Sequence, residues 1–139
     1  MAKRIAVGLD GSEPSWKALR EAAWLARHYG AELVVVSIQE SIEAAYSASE
    51  VLAAEKTARD TLERIQAEAE LVAEKEGVQV STTILTGNPT TSLKEYVAKS
   101  GVDLLVIGDK GHSSIWGALL GTTAEKIVRV APCSVLVVR

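Results

Sequence analysis

The amino-acid sequence predicts a single α/β domain over residues 1–139, built on a parallel sheet with helices on both faces. Two observations carry this prediction. Short runs rich in β-branched residues alternate along the chain with longer segments in which apolar residues recur at helical spacing. Hydrophobic residues make up 47% and charged residues 24% of the 139 residues, which is the balance of a globular domain with one core.

The five predicted strands are short, apolar and rich in valine, isoleucine and leucine. They are Ile5–Leu9, Leu33–Ile38, Val78–Leu85, Leu104–Ile107 and Val135–Val138. No linker, repeat or low-complexity tract interrupts the series, so nothing divides the chain into two domains.

Three of the four predicted helices are marked by capping residues. The first has Ser12 as its N-cap with Pro14 in its first turn, and Gly30 ends it. The third opens at Asn88 and Pro89 and closes at Gly101. The fourth follows Gly121 and ends before Pro132.

The second helix is the longest, covering roughly residues 49–76, and Gly77 stops it. Its apolar positions form one stripe: Ala58, Leu62, Ile65, Ala69 and Val72. The pairs Glu55/Arg59 and Asp60/Arg64 at i,i+4 spacing indicate a solvated face on the other side.

Alternating strands and helices with right-handed crossovers favour the sheet order 3-2-1-4-5, a Rossmann-like arrangement. The first three strands then wind one way from strand 1 and the last two wind the other way. The crevice at this reversal lies between strands 1 and 4, and such crevices hold ligands. Because Asp10 follows strand 1 and Gly108 follows strand 4, these two chain segments are predicted to meet across one cleft.

Glycines with a regular spacing follow the fourth strand. Gly108, Gly111 and Gly121, followed by Thr122, make the pattern G-x2-G-x9-G-[ST]. Glycines permit close approach of a ligand to the backbone, and a helix N-terminus offers unpaired N–H groups to anions. The joint spacing therefore predicts a phosphate site.

Each of these residues also has a purely structural interpretation. Asp10 is typical of an Asp-Gly-Ser turn, and Gly108 and Gly121 are typical of strand and helix ends. Thr122 with Glu125 three residues later makes a capping box for the last helix, which is compatible with phosphate binding nearby. His112, in the polar loop, either contacts phosphate or faces solvent.

Composition excludes several classes of protein. The net charge is −3 and no stretch concentrates lysine and arginine, so no nucleic-acid surface is expected. No apolar run is long enough to span a membrane or to form an export signal, and a cytoplasmic protein is predicted. The single cysteine, Cys133, excludes an internal disulfide and is expected to be a buried, inert thiol.

Taken together, these motifs resemble the universal stress protein family over essentially the whole chain. The resemblance rests on the opening Ile5–Ser12, the run Leu104–Gly108, the glycine spacing, and the ending Ala131–Val138. The G-x2-G-x9-G-[ST] element resembles the ATP-binding subgroup. The resemblance implies a homodimeric, cytoplasmic stress-response protein that binds ATP, or AMP, as a nucleotide-dependent regulator.

The family pattern also implies roles for individual residues. It places Asp10 on the ribose hydroxyls with the Gly8 backbone close by, Ile38 on the adenine through its backbone, and Ile107 and Gly108 along the nucleoside. The implied phosphate-binding residues, acting mainly through N–H groups, are Gly111, Gly121, Thr122 and Thr123, with His112 as a further candidate. Mg²⁺ is expected only through the nucleotide phosphates, where it or Lys110 would offset the charge of Asp109.

Catalysis lacks comparable sequence support. The chain has no G-x4-G-K-[ST] motif, and no serine or cysteine nucleophile is recognisably paired with a histidine. The sequence therefore predicts a binding protein. Two alternatives stay open: a slow ATPase or nucleotidyl-transfer enzyme, and a dimeric interaction module that binds no nucleotide.

The last strand predicts how the dimer forms. In the order 3-2-1-4-5 the fifth strand lies at an edge, where its outer N–H and C=O groups are unpaired. The segment Ser134–Arg139 carries no proline or charge before its final residue, so antiparallel pairing with the same strand of a second copy is expected.

Overall fold

A computed structural model of the protein describes residues 2–41, 47–110 and 121–139. Strands and helices alternate along it in the predicted order. The strands are β1 (Arg4–Gly8), β2 (Glu32–Gln39), β3 (Val80–Thr86), β4 (Leu104–Gly108) and β5 (Ser134–Val138). The helices are α1 (Glu13–Tyr29), α2 (Ala48–Lys75), α3 (Pro89–Lys99) and α4 (Thr122–Val130).

All strand pairs are parallel and the sheet order is β3-β2-β1-β4-β5, which confirms the predicted topology. In the central strand β1, Ile5, Ala6 and Val7 are fully buried because helices cover both faces of the sheet. The winding direction reverses between β1 and β4, so the crevice between their carboxyl ends is where the topology places a ligand site.

The core has two parts, one on each face of the sheet. On one face, α1 and α2 pack on Ile5, Val7 and Val35. On the other face, α3 and α4 pack on Ala6, Val34 and Leu105, with other residues. The stripe predicted for α2 faces inward, although only Ala69 of its five members is fully buried. The outer face of α2 is solvated as predicted, but its ion pairs are Lys56–Asp60 and Arg59–Glu63 instead of those expected.

The predicted N-caps are confirmed for α1 and α3, and the predicted N-cap of α4 is wrong. Ser12 and Asn88 cap α1 and α3 through their side chains, and Gly30 ends α1 with φ 63°. At α4 the predicted N-cap, Thr122, is wrong: Gly121 is the N-cap, and a glycine has no side chain with which to cap the helix. The reason is that Gly121 is extended and its carbonyl already accepts from the Glu125 amide at 3.0 Å, so Thr122 lies inside the first turn.

The edge strand β5 is less buried than β1, and its four apolar residues are all only partly covered. Cys133, directly before it, is partly buried instead of fully buried as expected. Its burial raises the pKa of the thiol, and this outweighs a backbone hydrogen bond at Leu105 that lowers it. Cys133 is therefore a protonated, weakly nucleophilic thiol at neutral pH, as predicted. Among the helices of the described segments, none combines the length and hydropathy needed to cross a bilayer.

Candidate functional site

A cavity of about 650 Å³ opens at the carboxyl ends of β1, β2 and β4, where the sheet reverses direction. Its volume lies within the range of small-molecule sites. It brings together most of the residues that the sequence singled out: Gly8, Asp10, Ile38, Ile107, Gly108, Gly121, Thr122 and Thr123. The other two candidates, Gly111 and His112, lie outside the described residues.

Asp10 lies at the floor of the cavity in a hydrogen-bonded turn. Its Oδ1 accepts from the Ser12 amide at 2.9 Å and from the Ser12 hydroxyl at 2.5 Å, and Gly11 between them has φ 88°. Ser15 closes the turn, because its hydroxyl donates to the Ser12 carbonyl at 2.8 Å. The Asp-Gly-Ser turn expected as the structural role of Asp10 is thus confirmed, and the same turn holds the carboxylate against the cavity.

The N-terminus of α4 forms the opposite side of the cavity. Gly121, Thr122, Thr123 and Ala124 all line it. Since the N-cap residue is a glycine, it supplies no side-chain oxygen to the amides of the first turn. Those amides and the helix dipole together make this end of the cavity suited to an anion.

The amide of Gly121 is used within the protein. It donates to the Asp109 carbonyl at 2.7 Å, while the Asp109 amide donates to the Val138 carbonyl at 2.9 Å. Asp109 therefore connects the end of β4 to α4 on one side and to β5 on the other. Its backbone carries these bonds, so the identity of its side chain is not needed for them.

The backbone of Ile38 presents a donor and an acceptor at the cavity. Val36 directs its carbonyl towards β1, where it accepts from the Leu9 amide at 2.9 Å, and Gln39 directs its carbonyl towards the β3 side, to the Gly87 amide. By the alternation of a parallel strand, Ile38 directs its N–H and C=O towards β1 as well. Because β1 ends at Gly8, opposite Val36, these groups reach past the end of that strand.

Two helices contribute lining residues that the sequence analysis missed. Ala58, Thr61, Leu62 and Ile65 come from α2, and Pro89 and Leu93 come from α3. The sequence analysis identified the apolar stripe of α2 without connecting it to the cavity, and two of its members, Leu62 and Ile65, are only partly buried. α2 extends beyond the carboxyl edge of the sheet, so the N-terminal part of its stripe faces the cavity. The length of α2 could have indicated this from the sequence. The helix has 28 residues, whereas β1 has five and β2 has eight, so α2 is too long to lie on the sheet alone.

The two glycines at the ends of β1 and β4 have different surroundings. A Cβ added at Gly8 would meet only Ile107 Cγ2, at an ordinary contact distance of 3.6 Å. A Cβ added at Gly108 would overlap Pro14, whose carbonyl carbon would lie at 2.7 Å. Gly108 is therefore required by the close approach of α1 to β4, while Gly8 leaves space in the cavity.

The charged side chains in the described part of the cavity are Asp10, Glu40 and Lys110. Lys110 lies on the α4 side, where a cation would assist anion binding. Within residues 2–41, 47–110 and 121–139 there is no cluster of three or more histidine, cysteine or acidic side chains that could hold a metal ion by itself.

The sheet order and the cavity at its reversal define an α/β ligand-binding domain of the doubly wound class. The sequence model of the universal stress protein family matches residues 1–139. The chain therefore belongs to the universal stress protein family.

Individual relatives agree with this assignment along the whole chain. The chain is 31% identical over 140 residues to a universal stress protein of Methanocaldococcus jannaschii, covering 99% of this chain and 82% of the relative. A universal stress protein from Lactobacillus plantarum has a similar structure, with a TM-score of 0.80, 29% identity and coverage of 99% and 97%. Another universal stress protein, solved in complex with cAMP, has a TM-score of 0.79, 28% identity and the same coverage.

Proposed function

We propose that this protein binds an adenine nucleotide, ATP or AMP, in the cavity between the ends of β1 and β4 and acts as a cytoplasmic, nucleotide-dependent regulator. The observation that carries the proposal is that the glycine-capped N-terminus of α4 and Asp10 line one cavity of about 650 Å³. A carboxylate suits ribose hydroxyls and an open helix N-terminus suits phosphate. The related structure in complex with cAMP supports an adenine nucleotide as the ligand.

The proposed orientation follows from the chemistry at each end of the cavity. The Ile38 backbone takes the edge of the base, since an adenine presents a donor next to an acceptor there. Asp10 takes the ribose hydroxyls, with the Gly8 backbone beside the sugar and Ile107 and Gly108 along the nucleoside. The phosphates reach the first turn of α4.

Phosphate binding is assigned to particular amides. Since the Gly121 amide already donates to Asp109, the amides of Thr122 and Thr123 are the donors proposed for the phosphate. Gly121 contributes by leaving room for close approach, and Lys110 contributes positive charge. Gly111 and His112 stay predictions for the same group. Mg²⁺ is proposed to bind through the nucleotide phosphates, which are the oxygen ligands that this ion prefers.

Calorimetric titration of Gly121→Val with ATP tests the phosphate assignment. The variant is expected to lose measurable binding, because a branched side chain would occupy the space between the helix N-terminus and the phosphate. Gly121 has φ −67°, which valine adopts without strain, so the effect should not come from the backbone. Ala131→Val is the matched control, since Ala131 lies at the other end of α4 with φ −61°. Equal affinity of the Gly121→Val variant and the parent protein would refute the assignment.

A binding role is proposed in preference to catalysis. The charged residues that line the described cavity are Asp10, Glu40 and Lys110, and the sequence has no serine or cysteine nucleophile recognisably paired with a histidine. Turnover of ATP that depends strongly on a divalent metal, and that Gly121→Val abolishes, would instead establish an ATPase.

The protein is further proposed to form a homodimer through the outer edge of β5. Val138 directs its carbonyl towards β4, where it accepts from Asp109, so alternation places the N–H and C=O of Val137 on the outer edge. Proline is tolerated where the lost N–H faces outward. Val137→Pro should therefore fold and shift the protein to monomer in light scattering, whereas Leu136→Pro, on the inner side, should destabilise the fold. A parent protein that is monomeric at micromolar concentration would refute this interface.

A further inference from the structure

We propose that the side chain of Gln39 selects the base, by accepting a hydrogen bond from an exocyclic amino group. This inference rests on the proposed nucleotide function and names a residue that neither the glycine pattern nor the strand-end aspartate indicates. The predicted ligand class is a purine nucleotide with an amine at the position corresponding to C6 of adenine. A base with a carbonyl oxygen there is disfavoured.

Gln39 is held in place at the cavity wall. It is the last residue of β2, opposite Thr86 of β3, and its carbonyl accepts from the Gly87 amide at 3.0 Å. The residue is only 9% exposed, and it lines the cavity directly after Ile38. A buried polar side chain at this point needs a hydrogen-bond partner for each of its polar atoms.

The orientation of the amide is fixed by α2. Gln39 Nε2 donates to the backbone carbonyl of Glu55 at 3.0 Å. Because that partner is an acceptor, the nitrogen must face α2 and the oxygen must face away from it. Within the described segments, no group donates a hydrogen bond to Gln39 Oε1. This oxygen is also not one of the fully buried polar atoms that lack a partner in those segments. The oxygen is therefore not fully sealed from solvent, and Gln39 is one of the residues that line the cavity.

An acceptor held in this way discriminates between bases. An exocyclic amine donates a hydrogen bond to Gln39 Oε1. A carbonyl oxygen at the same position would place two acceptor atoms against each other, which is repulsive. Glu40, the next cavity residue, adds a further acceptor and no donor. A site with a fixed acceptor rejects ligands that leave this acceptor unpaired, because a bound ligand displaces the water that bonds to it in the empty cavity and offers no donor in return.

The chain contains a matched control for this residue. Gln66 is a second buried glutamine, 6% exposed, and its Nε2 donates to the Thr83 carbonyl at 2.7 Å. Like Gln39, it connects α2 to the sheet through its amide. Gln66 does not line the cavity. The two residues therefore share a structural role, and only Gln39 is placed to contact a ligand.

The experiment compares AMP with purine riboside 5′-monophosphate, which lacks the amine, and with IMP, which carries a carbonyl in its place. For the parent protein, we expect AMP to bind about 3- to 10-fold more tightly than purine riboside monophosphate, with IMP weaker still. In Gln39→Met the preference for AMP over purine riboside monophosphate should fall about three-fold, and the preference that remains comes from the Ile38 backbone carbonyl. Gln66→Met should lower the melting temperature and keep the preference of the parent.

The outcomes separate this proposal from the one on which it rests. Equal binding of AMP and purine riboside monophosphate to the parent protein would overturn the role of Gln39 and leave the nucleotide site intact. An unchanged preference in Gln39→Met, or an equal loss in Gln66→Met, would do the same. No binding of any of the three nucleotides to the parent protein would overturn the nucleotide site itself. Measurements on the parent protein alone can refute the proposal if Gln39→Met does not fold.

Discussion

Gly8 and Gly108 occupy equivalent positions, each as the last residue of one of two neighbouring strands, but the structure needs them for different reasons. Gly108 has the first turn of α1 against it, with the Pro14 backbone where a side chain would begin. Gly8 has one ordinary contact and otherwise open cavity. One glycine is required for packing, and the other leaves space that a ligand can use.

The comparison shows that a glycine in a phosphate-binding pattern can be present for folding. Gly108 is part of the spacing that predicted the phosphate site, yet its close contact is with α1. Packing at Gly108 also fixes the start of α1, and with it the turn that holds Asp10. The two strand ends thus differ in role: the end of β4 positions α1, and the end of β1 leaves space in the cavity.

The largest effect is expected for Gly108→Ala. Its Cβ would lie 2.7–2.8 Å from three Pro14 atoms, two of them backbone, so α1 would have to move. We expect the free energy of unfolding to fall by about 3 kcal/mol, at the upper end of overpacking effects. Urea denaturation followed by circular dichroism measures this change.

Gly8→Ala is the control for that substitution. Its Cβ would meet only Ile107 at 3.6 Å, so the free energy of unfolding should change by less than about 1 kcal/mol. Nucleotide affinity should fall instead, because the added methyl group enters the cavity. Equal destabilisation by the two substitutions would contradict the distinction between these glycines.

The next effect is expected for Asp10→Ala. Loss of the carboxylate should weaken the binding of ATP and the binding of adenosine by similar free energies, roughly 1.5–3 kcal/mol, since the proposed contact is with the ribose that both share. Calorimetric titration with both ligands measures this. The variant also loses the hydrogen bonds from Ser12, so its unfolding should be followed in parallel. An effect on ATP with adenosine untouched would place Asp10 at the phosphates or the metal.

The smallest effect is expected for Asp109→Asn. The backbone bonds of Asp109 to Gly121 and Val138 do not depend on its side chain, so stability should be unchanged within about 0.5 kcal/mol. Removal of a negative charge near the phosphates should strengthen ATP binding about two-fold and leave adenosine binding unchanged. The gain should shrink as salt is added, because partly exposed charges are screened. Weaker ATP binding in this variant would show that the carboxylate assists the ligand or its metal.

Much of this architecture could be predicted from the sequence, because strand patterning and right-handed crossovers leave few topologies. The meeting of Asp10 and Gly108 followed from the sheet order. The lining by α2 could not be predicted, since a half-buried apolar stripe has the same spacing whether it covers a sheet or a cavity. Gln39 was missed because one glutamine at a strand end carries no pattern. The choice of Gly121 over Thr122 as N-cap depends on one backbone conformation, which sequence does not determine.

The Gly121 amide donates to the Asp109 carbonyl, so the residue after β4 and the N-cap of α4 are joined directly by a backbone hydrogen bond. Loop closure adds only about 0.6 kcal/mol for each doubling of loop length when the ends are held together. We therefore expect a change in the number of residues between Asp109 and Gly121 to cost little stability. Their hydrogen bond is a local crosslink, which holds the end of β4 beside the start of α4 at the cavity independently of the length of the intervening chain.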